Sequence, residues 1–315
     1  MTVSNHLQEW YGLPAFDFHD AAAKAGLPAP ESVAWRIAVD AYDSDEEWQE
    51  AFAGFVAAVD TTRVRALIVG AWSEAYESGP QDAVVALIGA REKLPRLRGL
   101  FLGDMTFEEC EISWINQGDV TPLFDAFPQL EQFGVRGGQD LVFSAVRHER
   151  LRSLVVETGG LDAGVVRGIA ASDLPALEHL DIWLGTSWYG ANADVSDLEP
   201  FLSGTRLPSL RHLGLRNSEI QDEIAVALAG APVVARLETM DLSMGTLGDD
   251  GAEALLNGQP LTHLKKLDLH HHFMSEAMVR RLSDALVPAG VDLDVSESEP
   301  TGSGGREDRY TAVAE

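Results

Sequence analysis

One short pattern recurs along the chain, with apolar residues at positions one, four and six of the segment L-x-x-L-x-L. Its copies begin at Val64, Leu97, Leu130, Leu151, Leu177, Leu210, Leu237 and Leu264, at intervals of 33, 33, 21, 26, 33, 27 and 27 residues. Repeats of roughly 20 to 29 residues with this pattern pair a strand with a helix and stack into a solenoid. The sequence therefore predicts an α/β horseshoe of about eight or nine repeats, with a parallel sheet on the concave face and helices on the convex face.

The chain divides into three predicted regions. Residues 1–60 lack the repeat and predict an N-terminal cap, because the end of a solenoid must cover its core. Within them, residues 33–39 alternate as a strand, and Ser44 with Glu47 predicts a capping box before an apolar helix. Residues 61–295 form the predicted repeat domain, with a helix after each strand and a last edge strand at 291–295. Residues 296–315 carry few apolar side chains in their first part and predict an acidic disordered tail.

The charge of the chain excludes some partners. The 315 residues carry a formal net charge of −27, which argues against binding to nucleic acid, since such binding needs clustered Lys and Arg. No apolar run approaches the roughly 18 residues that would cross a membrane, and the N-terminus does not resemble a signal peptide. We therefore expect a cytoplasmic protein without a membrane partner. The acidic excess is spread along the chain, which favours a role in solubility over one dedicated basic partner.

The single cysteine is expected to be structural. Cys110 lies in an acidic run between Glu109 and Glu111, where carboxylates raise the pKa of a thiol and suppress thiolate chemistry. One cysteine also permits no disulfide within the chain, which agrees with a reducing compartment. The chain contains no glycine-rich phosphate loop, no G-x-S-x-G and no Cys/His nucleophile pair. We therefore predict that it is not an enzyme and assign it no catalytic residue, metal or cofactor.

The repeats resemble the ribonuclease-inhibitor-like class of leucine-rich-repeat proteins over residues 61–295, most closely in L-E-T-M-D-L-S-M-G-T-L-G-D-D-G-A-E-A-L-L-N-G-Q at 237–259. One departure concerns the asparagine usual at the ninth position of L-x-x-L-x-L-x-x-N. That position holds Met105, Gly138, Gly159, Gly185, Ser218, Gly245 and His272. Without the asparagine amide, we expect glycines to permit a different and tighter turn after the strand.

A narrower resemblance connects the chain to a bacterial family of cytoplasmic leucine-rich-repeat proteins. Its basis is E-I-S-W-I at 111–115, T-G-G-L at 158–161, L-G-L-R-N-S at 213–218 and L-D-L-H-H-H at 267–272. Genes of that family tend to lie beside radical-chemistry and ATP-grasp enzymes. The resemblance therefore implies an accessory role in a biosynthetic gene cluster, and it carries no catalytic residues with it.

The strict register of the repeat predicts which side chains share the concave surface. Side chains alternate along a strand, so positions three, five and seven face away from the leucine core, and equivalent positions form rows across strands about 4.8 Å apart. Row three is Gln132, Ser153, His179, His212, Thr239 and Lys266; row five is Gly134, Val155, Asp181, Gly214, Asp241 and Asp268; row seven is Arg136, Glu157, Trp183, Arg216, Ser243 and His270. The predicted surface is polar and carries both signs of charge.

Histidines on this surface have two interpretations. His179, His212 and Asp181 converge in the predicted rows and form a candidate metal or acid–base site. We favour the second interpretation, in which they are ordinary polar residues of a solvated surface. Zinc sites usually have three or four preorganised ligands, and this spacing matches no known signature. The run 270–272 is expected to anchor a loop, since consecutive residues chelate poorly. His270 is also expected to ease repulsion between Asp241 and Asp268 when it is protonated.

Aromatic residues mark a second part of the candidate surface. One glycine-flanked segment after a strand contains Trp183, Trp188 and Tyr189. For these three side chains, contact with a partner and an ordinary structural role in the loop are equally expected. Trp114 is expected to belong to the core.

The sequence thus predicts a non-catalytic scaffold or adaptor whose concave face binds a protein or peptide. A monomer is favoured over an oligomer. The predicted contact residues are Arg136, Glu157, His179, Asp181, Trp183, Trp188, Tyr189, His212, Arg216, Asp241, Asp268 and His270. The alternative is a metal-dependent enzyme or metallochaperone using His179, Asp181 and His212, with His270 as a further candidate.

Overall fold

The structure is a computed structural model that describes residues 2–18, 26–42, 44, 46–300 and 305–314. Twelve strands of this described part form one sheet in chain order. They are β1 (Glu9–Trp10), β2 (Leu13–Asp17), β3 (Ala34–Ile37), β4 (Ala66–Val69), β5 (Gly99–Leu102), β6 (Gln132–Arg136), β7 (Ser153–Glu157), β8 (His179–Gly185), β9 (His212–Ser218), β10 (Thr239–Asp241), β11 (Lys266–Asp268) and β12 (Asp292–Asp294). β1 and β2 are antiparallel, and every later neighbouring pair is parallel.

Helices connect most of the parallel strands. The α-helices of the described residues span Trp48–Ala58, Gln81–Gly89, Pro122–Ala126, Ala163–Ala171, Val195–Leu202, Gln221–Leu228, Asp249–Asn257 and Glu276–Leu286. The connection between β6 and β7 contains none. It runs extended, with single bridges from Asp119 to Val142 and from Arg147 to Asp173. The expectation of a helix after every strand is therefore wrong here, because a 21-residue repeat leaves too little chain for a helical turn and two connections.

The leucines of the repeat point into one continuous core between sheet and helices. Leu151, Leu154 and Val156, which hold positions one, four and six of a single repeat, are all completely buried. Removing one such side chain to alanine typically costs about 2 to 5 kcal/mol. The fold is an α/β leucine-rich-repeat solenoid with a parallel sheet on the concave face and helices on the convex face.

The region before the first repeat continues the same sheet. β3 pairs with β4 of the first repeat, and no break in the sheet marks residue 60. The predicted helix is present at Trp48–Ala58, but its capping box joins Glu47 and Glu50, not Ser44 and Glu47. The helix begins later than the sequence pattern suggests because the Ser44 hydroxyl binds the backbone of Glu46.

The chain start folds back over the concave face. We call residues 2–12 the N-terminal arm. Tyr11 and Gly12 form a two-residue turn with φ of 56° and 65°, which reverses the arm into β2. Trp10, only 6% exposed, packs edge-on against Phe101 of β5 with ring centroids 4.9 Å apart. Ala34, Ala66, Ile68 and Phe101 form with Trp10 a second apolar cluster on the concave side, so the first half of that face is filled by the chain itself.

Buried ion pairs fasten the arm. The carboxylate of Asp104, which is completely buried, accepts from the Leu7 amide at 3.0 Å and from Arg36 Nε at 2.7 Å. Arg36 also donates to the carbonyl of Leu7. Arg136 donates to Asp104 Oδ1 at 3.1 Å. Because each of these buried charges has an opposite partner, they join the arm to β3, to the turn after β5 and to the end of β6.

The end of the chain is ordered where the structure describes it. Ala312 and Val313 are buried, and residues 305–314, the C-terminal segment, lie along the loops that follow the strands, which we call the rim. The amide of Ala312 donates to Met244, and Val313 exchanges two hydrogen bonds with the Asn217 side chain. Ser113 donates to Ala314. Residues 305–314 therefore depart from the predicted disordered tail, because a few apolar side chains and backbone groups suffice to dock a short segment. Residues 301–304 and 315 of that predicted tail lie outside the described residues.

The turns at the rim explain the missing asparagines. The residue before the ninth position adopts a left-handed conformation at Gly137, Asn217, Met244 and His271, with φ of 106°, 51°, 67° and 53°. At Asn217 the side chain also binds the carbonyl of Thr158 at 3.2 Å. In these four copies the turn takes its shape from the eighth position, and the one asparagine there, Asn217, also binds the C-terminal segment.

Candidate binding site on the open half of the concave face

The predicted rows exist as predicted. The strand register places Ser153 beside His179, His179 beside His212, His212 beside Thr239 and Thr239 beside Lys266. On the sheet, the apolar cluster around Trp10 ends at Val155 on β7. Val3 of the arm packs separately at the rim, against the cluster of Ile112, Met244, Ala312 and Val313 that Trp183 also contacts. We call the concave face of β8–β12 the open half, because its row-three and row-seven side chains are partly exposed, apart from the buried Ser243. The candidate site lies there.

Two predicted contact residues lie at the margin of the open half. Arg136 is 4% exposed and binds Asp104 at 3.1 Å and Glu157 at 2.8 Å. Burial would lower the pKa of this guanidinium, but Glu157 and Asp104 outweigh it and raise the pKa. Arg136 is therefore a structural cation that holds the arm, and the prediction that it contacts a partner is replaced by this role. Glu157 stays half-buried beside it as its counterion.

His179, Asp181 and His212 meet at the start of the open half. The two imidazole rings are stacked with centroids 3.9 Å apart and planes 9° apart. His212 Nδ1 lies 2.6 Å from the Thr239 hydroxyl, and His212 Nε2 lies 3.9 Å from Asp181 Oδ2. Burial lowers the pKa of both imidazoles, and with the neighbouring His179 it lowers the pKa of His212 to about 4. Both rings are thus neutral near pH 7.

Arg216 organises the centre of the site. Its guanidinium lies 3.2 Å from both Asp181 and Asp241 and donates to the Ser243 hydroxyl at 3.0 Å. It also lies 5.4 Å from the centroid of the Trp183 ring, within the range of a cation–π contact. Burial would lower the pKa of Arg216, but the two carboxylates outweigh it and raise the pKa. Burial raises the pKa of Asp241 in spite of Arg216.

A second charged group follows on β11 and β12. Asp268 accepts from His270 Nδ1 at 2.7 Å and lies 2.9 Å from Lys266 Nζ. Burial opposes ionisation of Asp268, but these two partners outweigh it and hold its pKa well below the usual range. The hydrogen bond to Asp268 raises the pKa of His270. Since Asp241 and Asp268 are lateral neighbours, the predicted role of His270 between two carboxylates agrees with this geometry.

The aromatic residues of the rim are mostly exposed. Trp188 is 86% exposed on the short turn Ser187–Tyr189, and Tyr189 is partly buried beside Gly160. Trp114 is 55% exposed, so its prediction as a core residue is wrong; on the same turn, Ile112 is buried instead. Trp183 is partly buried against the C-terminal segment. The three tryptophans therefore differ in role, and only Trp183 lies in the rows of the open half.

The other histidines of the run 270–272 anchor loops, as predicted. His271 Nε2 lies 3.1 Å from the carbonyl of Tyr310 in the C-terminal segment. His272 Nε2 lies 3.0 Å from the carbonyl of Val295, and its Nδ1 accepts from the Met274 amide. Both side chains are buried. Cys110 is also buried, and burial with the nearby Glu111 raises the pKa of its thiol to about 11.

The repeat solenoid with this polar concave surface defines a leucine-rich-repeat protein, a class whose curvature creates extended binding surfaces. A crystal structure of a protein from Bacteroides fragilis is 29% identical, has a TM-score of 0.76 and covers 93% of this chain and 80% of its own. No protein-family model matches the sequence. No curated protein matches it either.

Two further bacterial structures overlap in part. An internalin from Listeria monocytogenes is 16% identical with a TM-score of 0.41, covering 76% of this chain and 56% of its own. A leucine-rich-repeat protein from Leptospira interrogans is 15% identical with a TM-score of 0.31, covering 76% of this chain and 62% of its own. Both overlaps are too loose to carry an argument. Within the described residues, no helix is long and apolar enough to span a membrane.

Proposed function

We propose that the protein is a non-catalytic scaffold that binds a basic, extended segment of another protein on the open half of its concave face. The observation that carries the proposal is the N-terminal arm, which already occupies the other half of the same face. The arm binds through one buried aromatic side chain, Trp10, and through the backbone amide and carbonyl of Leu7, which hydrogen-bond to the buried pair of Asp104 and Arg36. A partner segment would use the same mode of binding one step further along the sheet.

Charge on the open half supports a basic occupant. Its strands carry five carboxylates and two permanent cations, the acids being Asp181, Asp241, Asp268, Asp292 and Asp294 and the cations Arg216 and Lys266. Both cations are already within 3.2 Å of a carboxylate of the same surface. The surface therefore has negative charge left over, which attracts a basic segment and repels an acidic one.

Trp183 is the proposed aromatic anchor. Aromatic and arginine side chains dominate the binding energy of many interfaces, and Trp183 stacks with Arg216 in the middle of the rows. Trp188 and Tyr189 would extend the contact along the rim. In this proposal the protein acts in the cytoplasm as a monomer. Its partner is encoded in the biosynthetic gene cluster that the family resemblance implies. The finer assignment to the ribonuclease-inhibitor-like class stays a prediction.

Selection from a random peptide library displayed on phage tests the proposal. We expect selected peptides to be rich in Lys and Arg, to bind more weakly as salt increases, and to lose at least tenfold in affinity against Trp183→Ala combined with Asp268→Asn. Trp114→Ala is the matched control, because it removes an exposed tryptophan of the rim away from the open half. Selection of acidic peptides, or equal affinity for the double variant and the wild type, would refute the proposed surface.

A further inference from the structure

We propose that His179, Asp181 and His212 form a binding site for one divalent transition-metal ion of the zinc class. Each side chain offers one donor atom, and the three atoms lie within 4.8 Å of one another. Two imidazoles and one carboxylate are donors that such ions prefer, and three protein ligands leave a fourth position for water or a further ligand. This inference is independent of the proposed partner.

Unsatisfied buried atoms indicate that a cation belongs at this place. Asp181, only 7% exposed, uses one carboxylate oxygen for Arg216, while its buried Oδ1 has no hydrogen-bond partner among the described residues. His212 Nε2 is likewise buried without a partner in that part of the chain. Leaving a buried polar atom unpaired destabilises the folded state. A metal ion between the two residues would satisfy both atoms.

The surroundings prepare His212 as a ligand. Its Nδ1 is held by the Thr239 hydroxyl at 2.6 Å, the kind of contact that orients ligating histidines through their second nitrogen. That contact directs Nε2 to the side of Asp181. Gly214, between His212 and Arg216 on β9, leaves room for the carboxylate, since a Cβ there would lie 3.0 Å from the Asp181 carboxyl carbon. The site is therefore shaped around both donors.

Metal binding requires one rearrangement. Ligand atoms in a tetrahedral zinc site lie roughly 3.3 Å apart, given bonds of about 2.0 to 2.1 Å, so the three donors must close in. The parallel stack of the two rings also prevents both lone pairs from meeting one ion. His179 can turn, because the structure gives its ring no hydrogen bond within the described residues. We expect His179 to rotate while His212 and Asp181 stay in place.

The neighbouring group Asp268, His270 and Asp294 has similar donor spacing but a different chemistry. Asp268 and His270 already satisfy each other at 2.7 Å, and Lys266 supplies a positive charge at 2.9 Å. A metal ion there would have to displace both partners. His270→Gln is therefore the matched control for the proposed site, since it removes a concave histidine that is part of the other group.

The test uses the full chain with its affinity tag removed and its metals stripped by a chelator. We expect Zn²⁺ to bind with 1:1 stoichiometry in a competition titration, and Co²⁺ to give the visible absorption of a four-coordinate ion. His179→Gln, His212→Gln or Asp181→Asn should weaken binding at least a hundredfold, Thr239→Val about tenfold, and His270→Gln not at all. Circular dichroism checks that each variant is folded.

Three results would overturn the proposal: no saturable binding of either ion, unchanged binding by a folded Asp181→Asn variant, or loss of binding in His270→Gln alone. Because these titrations contain no peptide, their failure leaves the proposed partner surface standing. Failure of the peptide selection likewise leaves the metal site standing.

Discussion

Removal of Trp10 tests whether the N-terminal arm is an integral part of the fold. Trp10→Ala deletes a side chain that is 6% exposed and packs on Phe101 at 4.9 Å. Truncating a buried tryptophan costs about 3 to 5 kcal/mol where the neighbours cannot close the gap. The decrease in the free energy of unfolding cannot exceed the free energy with which the arm binds the rest of the protein. Beyond that value the arm detaches, and the rest of the solenoid stays folded. We therefore expect a decrease of about 3 kcal/mol in the free energy of unfolding.

Two assays separate global from local loss. Urea unfolding followed by circular dichroism measures the free energy of unfolding of wild type and variant. Hydrogen exchange at the amides of Leu7 and Ala15 follows the arm itself, since these amides donate to Asp104 and to the carbonyl of Gln8. Both amides should exchange faster in Trp10→Ala. Exposure of Phe101 and Ile68 should also increase the binding of a hydrophobic dye.

Trp188→Ala is the control, because that side chain is 86% exposed and its removal should change the free energy of unfolding by less than about 0.5 kcal/mol. The reasoning would be refuted if Trp10→Ala stayed within that range, or if its two reporter amides kept their wild-type protection. Either outcome would mean that the concave cluster of the first half does not need the arm as its cover.

Three further predictions concern single sites. Asn217→Ala removes two buried bonds to the C-terminal segment and should lower the free energy of unfolding by about 2 kcal/mol, with faster proteolysis of that segment; wild-type proteolysis would contradict it. Gly134→Ala places a Cβ 2.4 Å from the Phe101 ring and should cost about 1 to 3 kcal/mol in urea unfolding, whereas Gly54→Ala, with open space around it, should cost nothing. His212 has a pKa of about 4 in the folded chain and about 6.5 in the unfolded chain, so the free energy of unfolding should increase by about 3 kcal/mol from pH 4 to 6.5. In His212→Gln the free energy of unfolding should depend less steeply on pH, and an unchanged slope would contradict this.

The sign of the pH effect follows from proton binding. Between pH 4 and 6.5 the unfolded chain binds a proton at His212 that the folded chain does not, so stability decreases as pH falls. His179 acts in the same direction, since its pKa is also lowered by burial. His270 acts in the opposite direction, because Asp268 raises its pKa and its stabilising contribution is lost as pH increases above about 6.5. Substituting each histidine separately distinguishes the two directions.

The rows of the concave face were predictable because two periodicities coincide. Alternation along a strand assigns each side chain to one face, and the leucine repeat fixes which residues of successive strands are neighbours. The stacking of His179 on His212 and the pairing of Asp241 with Asp268 both follow from this register. Of the two partners of Arg136, Glu157 follows from row seven. Asp104 does not, because it lies in a turn after β5 whose path the repeat does not specify.

The two chain ends were harder to predict, for different reasons. The arm had a signal in the repeat itself. Position five of the first two copies holds Ile68 and Phe101, which are large apolar residues on the concave face and require a cover. The turn at Tyr11 and Gly12 supplied a second signal. The C-terminal segment had almost none, because its two buried apolar residues, Ala312 and Val313, are too few to show a period. Its docking depends instead on a side chain far away in the sequence, Asn217.

The arm also sets the size of any segment that the open half can accept. Its apolar cluster on the sheet ends at Val155, which leaves the strands β8–β12, while Val3 packs at the rim beside Trp183. Five strands about 4.8 Å apart span roughly 19 Å, the length of about six extended residues at 3.3 Å each. A basic segment of that length, laid across the strands, would pass Arg216 and Trp183 near one end and the carboxylates of Asp268 and Asp294 near the other. The best ligands should therefore combine an aromatic residue at one end with lysines or arginines at the other, and inverting this order should weaken binding.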